Sequence, residues 1–149
     1  MNDDFYIIIP SRIGSTRLKN KPLIDINGES LIQRVFKNAL NISPNTFVAT
    51  DSELIAKNLE IMTSNVIMTA NEHISGTDRV HEAATKLNLN EQTLILNLQG
   101  DEPFIPNDLI SQMKNNFYSL SCDIVTASNP LKSKEDIHNP SCVMVEVDE

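Results

Sequence analysis

Four cations fall within ten positions of this 149-residue chain, Arg12, Arg17, Lys19 and Lys21, in the stretch 10–23, which contains no Asp or Glu. The stretch reads Pro10-Ser11-Arg12-Ile13-Gly14-Ser15-Thr16-Arg17-Leu18-Lys19-Asn20-Lys21-Pro22-Leu23. Its small residues let backbone N–H groups approach an anion while the cations neutralise several phosphate charges together, so a triphosphate suits it. It has neither the GxxxxGK[ST] spacing of a Walker loop nor the GxGxxG of a dinucleotide fold. The plain alternative is a solvated basic loop. Its position directly after a buried apolar run favours phosphate binding.

Two further stretches could act with it. Leu98-Gln99-Gly100-Asp101-Glu102-Pro103 places carboxylates beyond another apolar run. Mg²⁺ takes one or two protein oxygens together with phosphate oxygens, which makes Asp101 a metal candidate; by itself a Gly-Asp pair is more often just a turn. His73-Ile74-Ser75-Gly76-Thr77-Asp78-Arg79 combines hydroxyls, a glycine and an arginine at a helix start. There Ser75 or Thr77 serves as an N-cap as readily as it binds a ligand, and Asp78 suits the helix dipole. His73, His81 and His138 share no metal-ligand spacing, and His81 reads as a helix residue.

These stretches need elements to hold them. Phe5 to Ile9 is a continuous apolar, β-rich run closed by Pro10, as expected of a central strand covered on both faces. The turn signal Asn27-Gly28 precedes helical spacing over 30–40. Strands are expected over 46–50, 66–69 and 93–98. Helices are expected after an Ser52 N-cap, over 78–87 and over 107–118. Further strands over 123–127 and 143–147, with a helical turn over 133–138 between them, complete the pattern. Alternating strands and helices imply right-handed βαβ units. The class is α/β: a doubly wound, Rossmann-like three-layer α/β/α fold with a mostly parallel mixed sheet. Ligands of such folds bind beyond the carboxyl ends of the strands, where the three stretches lie.

Length and composition set the outer limits. One domain of 149 residues buries about two-thirds of its unfolded surface. Hydrophobic residues at 40% and charged residues at 21% are ordinary globular usage. The net charge of −8 argues against sequence-independent nucleic-acid binding, which needs many cationic contacts. The apolar run at Phe5 is far too short to span a membrane, and Asp3 and Asp4 stand where a secretory signal carries basic residues. No membrane association and a cytoplasmic location are expected. Cys122 and Cys142 lack CxxC spacing and read as small buried hydrophobes.

Taken together, Ile8-Ile9-Pro10-Ser11-Arg12, Ser15-Thr16-Arg17-Leu18, Lys21-Pro22-Leu23, Val48-Ala49-Thr50-Asp51, Ser75-Gly76-Thr77-Asp78-Arg79 and Asn97 through Pro103 resemble the CMP-Kdo synthetases (3-deoxy-manno-octulosonate cytidylyltransferases) along essentially the whole chain. The resemblance implies a Mg²⁺-dependent attack of the Kdo anomeric hydroxyl on the α-phosphate of CTP, releasing pyrophosphate, in lipopolysaccharide or capsule synthesis. Carried over by position, Arg12 and Lys21 hold the phosphates, with Ser15 and the nearby backbone completing the cradle, and Pro10, Ser11 and Arg17 count with them as substrate-binding residues. Ser75, Gly76, Thr77, Arg79 and Gln99 serve the cytidine side, and Asp101 ligates the metal. One departure is that Lys19-Asn20 replaces the family's usual Pro-Gly. The family's chain continues past residue 149, and the resemblance assigns to that part much of the sugar site, a second metal-binding Asp and homodimer contacts. The expectation is therefore one nucleotide-binding domain over 1–149. CMP-sialic acid synthetase, or a noncatalytic CTP-binding module, is the alternative.

Overall fold

The computed structural model describes residues 5–14, 18–131, 133–139 and 143–146. Strand β1 (Phe5–Ser11) runs through the middle of a four-stranded sheet with β4 (Thr46–Thr50), β5 (Val66–Met68) and β6 (Leu94–Asn97), in the order β5-β4-β1-β6. All three pairings are parallel, with Ile7 opposite Thr46 on one side and Leu96 on the other. Two covered faces explain why β1 reads as an unbroken apolar run. Ile8 packs with Ala49 beneath Val80 and Ala83 of α3 (Gly76–Lys86). Side-chain alternation turns Ile7 and Ile9 to the opposite face, where α1 (Leu31–Leu40) lies against β1 and β4. All three isoleucines are fully buried, each removal from water contributing about 1.5–3 kcal/mol. Helix α2 (Glu53–Leu59) joins β4 to β5 and packs beside α1. The fold expected from the sequence is the one observed.

Local chemistry sets the element boundaries. Ser30 caps α1 in a reciprocal box with Gln33, and Ser52 caps α2 by accepting from the Ile55 N–H. Helix α3 begins two residues earlier than the apolar spacing indicates, because Ser75 is its N-cap. The Ser75 hydroxyl accepts from Asp78 N–H at 3.1 Å, and the Asp78 carboxylate accepts from Ser75 N–H, also at 3.1 Å. The Asn27-Gly28 signal closes a two-stranded antiparallel hairpin, β2 (Asp25–Ile26) with β3 (Glu29–Ser30), which the sequence reading did not include. Both turn residues have positive φ, 52° and 84°, as a type I′ turn requires. Asn20, standing where the family usually has glycine, adopts φ 54°, ψ 33° before a 3₁₀ turn at Lys21–Leu23. Asparagine tolerates this left-handed region better than most residues.

The chain forms two compact units, Met1–Ile105 and Pro106–Glu149. The second holds α4 (Asn107–Leu120) and a 3₁₀ turn at Lys134–His138. Its segments 123–127 and 143–146 are not strands, contrary to expectation; residue 147 lies outside the described residues. Their β-branched residues carry strand propensity, but a strand exists only through a ladder with a neighbour, and among the described residues none pairs with them. Ile124 and Val143 are exposed. Cys122 is a half-buried free thiol, less enclosed than expected, and Cys142 lies outside the described residues. No helix among the described residues is long and apolar enough to cross a membrane.

Candidate functional site

The carboxyl ends of β1 and β6 and the N-terminus of α3 enclose a cleft of about 660 Å³. Three chain segments far apart in sequence line it: Pro10, Ser11, Arg12 and Gly14 with Lys21, His73 to Gly76, and Gln99 to Asp101. The parallel register explains the meeting, since β1 and β6 are neighbours and their following loops emerge side by side.

Of the residues singled out by sequence, Pro10, Ser11, Arg12, Lys21, Ser75, Gly76, Arg79, Gln99 and Asp101 all line this cleft. Thr77 does not; its hydroxyl meets the Asn97 amide at 3.4 Å, and Asn97 in turn accepts from Gln99 Nε2 at 3.4 Å. Thr77 therefore reaches the cleft through Gln99. Ser15 and Arg17 lie outside the described residues.

Charge is arranged by depth. Arg12 is exposed, and no carboxylate pairs with it among the described residues. Lys21 Nζ lies 2.5 Å from Asp101 Oδ2, with both side chains more than a third exposed. Such an exposed pair contributes little to stability and exchanges partners readily. Asp101 is the acidic residue of the described lining. The described residues include no group of three metal-binding side chains, so an ion held at Asp101 would draw most of its ligands from phosphate and water, the usual arrangement for Mg²⁺. The donor chemistry fits that ion.

Arg79 has a task the sequence did not reveal. Its side chain is 3% exposed and donates to Asp51 Oδ2 at 2.8 Å, to the Ala70 carbonyl at 3.2 Å and to Thr69 Oγ1. It ties the loops after β4 and β5 to α3. Glu82 acts similarly, accepting from Lys86 Nζ, His73 Nε2 and Ala70 N–H. The Lys86 ammonium, then His73 and the Ala70 N–H, pull its carboxyl from 4.5 down to about 2. Glu82 four residues before Lys86 was a legible helix pair, but its reach back to His73 is tertiary. Asp78 is also held below its ordinary value, chiefly by the Ser75 hydroxyl and backbone N–H.

Two glycines allow segments to close on β1. A Cβ on Gly100 would stand 3.0 Å from the Pro10 carbonyl oxygen, and one on Gly76 would stand 3.2 Å from Pro10 Cγ. Both loops rest on Pro10.

A family model described as cytidylyltransferase matches residues 6–149. The chain is 42% identical over 133 residues to a 3-deoxy-manno-octulosonate cytidylyltransferase of Lawsonia intracellularis, covering 88% of this chain and 52% of that protein. It is 41% identical over 143 residues to the Hahella chejuensis protein of the same name, covering 95% and 56%. A solved structure of CMP:2-keto-3-deoxy-manno-octonic acid synthetase complexed with CTP superposes with a TM-score of 0.70 at 38% identity, covering 77% of this chain and 47% of that one. A cytidylyltransferase from Leptospira borgpetersenii serovar Hardjo-bovis (strain JB197), 22% identical, shares the fold with a TM-score of 0.65, covering 78% and 49%. The chain spans about half the length of the curated relatives it matches.

Proposed function

This chain belongs to the cytidylyltransferase family, and on that premise we propose that it serves the transfer of CMP from CTP to Kdo, giving CMP-Kdo and pyrophosphate. The observation that carries this reading is the convergence of Arg12 and Lys21, Ser75 and Gln99, and Asp101 on one cleft at the strand ends. The names of the relatives from Lawsonia and Hahella support Kdo as the acceptor.

In this reaction an acceptor hydroxyl oxygen bonds to the α-phosphorus as the bond to the pyrophosphate leaving group breaks. Phosphoryl transfer asks the protein for positioning and charge stabilisation more than for covalent chemistry. Arg12 and Lys21 hold the phosphate oxygens and stabilise the charge gathering on pyrophosphate. Pro10, Ser11 and the neighbouring backbone form the floor, and Ser75, Gly76 and Gln99 face the cytidine. Arg79 fixes the loop that carries Ser75. Asp101 would hold Mg²⁺, which when bound neutralises phosphate charge. By the family resemblance, Ser15 would complete the cradle and Arg17 would add to substrate binding.

The test is pyrophosphate release with CTP, Mg²⁺ and either Kdo or sialic acid, using this chain and one extended to the relatives' length. Kdo-dependent release supports the proposal, and preference for sialic acid overturns the acceptor. Because the chain spans about half of its relatives, CTP binding without release by either chain would favour a noncatalytic CTP-binding role.

A further inference from the structure

Five buried hydroxyl side chains besides Ser11 occur among the described residues, and each has a partner. Ser30 bonds to Asn58, Ser43 to the Phe5 carbonyl, Thr46 to the Ser43 carbonyl, Thr50 to Ser52 N–H and Thr69 to Arg79. Ser11 differs. It ends β1, is 6% exposed and lines the cleft, yet its Oγ is buried without a hydrogen-bond partner among the described residues. A Cβ at Gly100 would stand 3.5 Å from this oxygen, so the loop after β6 lies against the hydroxyl but does not bond to it. A polar group left in that state costs free energy unless another state of the protein satisfies it.

We propose that the Ser11 hydroxyl is a specificity contact, which turns about its Cα–Cβ bond to pair with a neutral polar atom of the bound nucleoside, on the cytosine edge or the ribose. The inference rests on the reading that the cleft takes CTP. Depth separates nucleoside from phosphate: the cations that suit phosphates, Arg12 and Lys21, stand at the exposed mouth, whereas Ser11 is an uncharged donor and acceptor on the buried floor. Such a hydroxyl discriminates because only a ligand that offers it a partner gains the hydrogen bond, and one that lacks the partner leaves it unpaired as before.

The contact predicts opposite signs for stability and binding. Ser11→Ala removes an unmet buried group, so ligand-free thermal stability is unchanged or raised, while CTP binding weakens about tenfold. Ser11→Cys, similar in shape but a weak hydrogen bonder, weakens CTP binding alongside it. Calorimetry with CTP, UTP, 2′-deoxyCTP and inorganic tripolyphosphate on the 149-residue chain reads the rest. Tripolyphosphate affinity stays at the wild-type value in both variants. A shrunken CTP-over-UTP preference assigns the contact to the base, and a shrunken CTP-over-2′-deoxyCTP preference to the ribose. Unchanged CTP affinity in Ser11→Ala, equal losses for CTP and tripolyphosphate, or a lower melting temperature without ligand would each overturn the proposal. Wild-type chain that binds CTP no better than tripolyphosphate would overturn the CTP reading and this inference with it.

Discussion

Asp51→Ala should cost this protein stability before it costs ligand binding. The Arg79 guanidinium is nearly water-free and its counter-charge is Asp51, 2.8 Å away; Thr69 and Ala70 supply neutral oxygens. Removing one partner of a fully buried pair costs about 3–5 kcal/mol, because the remaining charge stays desolvated. The Asp51 side chain is 19% exposed, so water can enter where the carboxylate was, and the lower end, about 3 kcal/mol, applies. At roughly 2–4 °C per kcal/mol for a chain of this size, the melting temperature falls by about 6–12 °C. Asp51→Asn keeps an acceptor oxygen and loses only the charge, so about half that fall is expected. Urea unfolding, with the slope checked for constancy, gives the free energies, and CTP titration of the folded variant gives the affinity. A loss below about 1 kcal/mol in Asp51→Ala, or weakened CTP binding at undiminished stability, would refute the assignment of Arg79 to loop anchoring and return it to the ligand.

In a chain of the relatives' length, Arg12→Ala and Lys21→Ala should each lower turnover about a hundredfold or more with the fold intact, read by pyrophosphate release and circular dichroism. Asp101→Asn should remove the Mg²⁺-dependent part of CTP binding and leave metal-free binding in place, measured by calorimetry with and without the ion. The carboxyl of Glu82 is lowered from 4.5 to about 2 in the folded state, so its contribution is fully present above pH 4.5 and lost as the pH falls toward 2. Glu82→Gln should flatten the stability profile in that window, and acid unfolding curves of identical shape would count against the clamp on His73.

Periodicity and loop chemistry made most of this molecule readable. The apolar run at Phe5–Ile9 announced a doubly covered strand, Ser52 was a capping residue by type and spacing, and Ser75 was one of two cap candidates beside Thr77. The cleft was legible because parallel topology sends the loops after β1 and β6 to the same end. What could not be read depends on partners distant in the chain. Ile124, Val125 and Val143 to Val145 have strand-forming side chains, but no window of sequence states whether a ladder neighbour is at hand. Arg79 looks like any helix-start cation until Asp51 and Thr69 are seen around it. The Asn27-Gly28 turn was visible, whereas its flanking strands of two residues each are too short for periodicity to register. Ser11 was picked out with its loop, but the missing partner of its hydroxyl is a property of the folded surroundings alone.

The register of β1 with β6 also sets an order of events during synthesis. Phe5 and Leu94 are partners although about ninety residues separate them, whereas β4, partner of β1 on the other side, follows much sooner. A chain emerging from the ribosome can pair β1 with β4 and cover both with α1 while the edge of β1 that β6 will occupy is still open. The loop after β1 is therefore made first and lacks its opposing wall until β6 and the loop that follows it have been made. Long-range closure of this kind is the slow part of folding, and until it occurs an open edge of the central strand is available to other chains. Nucleotide present at that stage would favour the closed form by mass action. On the proposed reading that the cleft takes CTP, cellular CTP would then affect the yield of folded protein as well as its saturation, most visibly in variants weakened at β6.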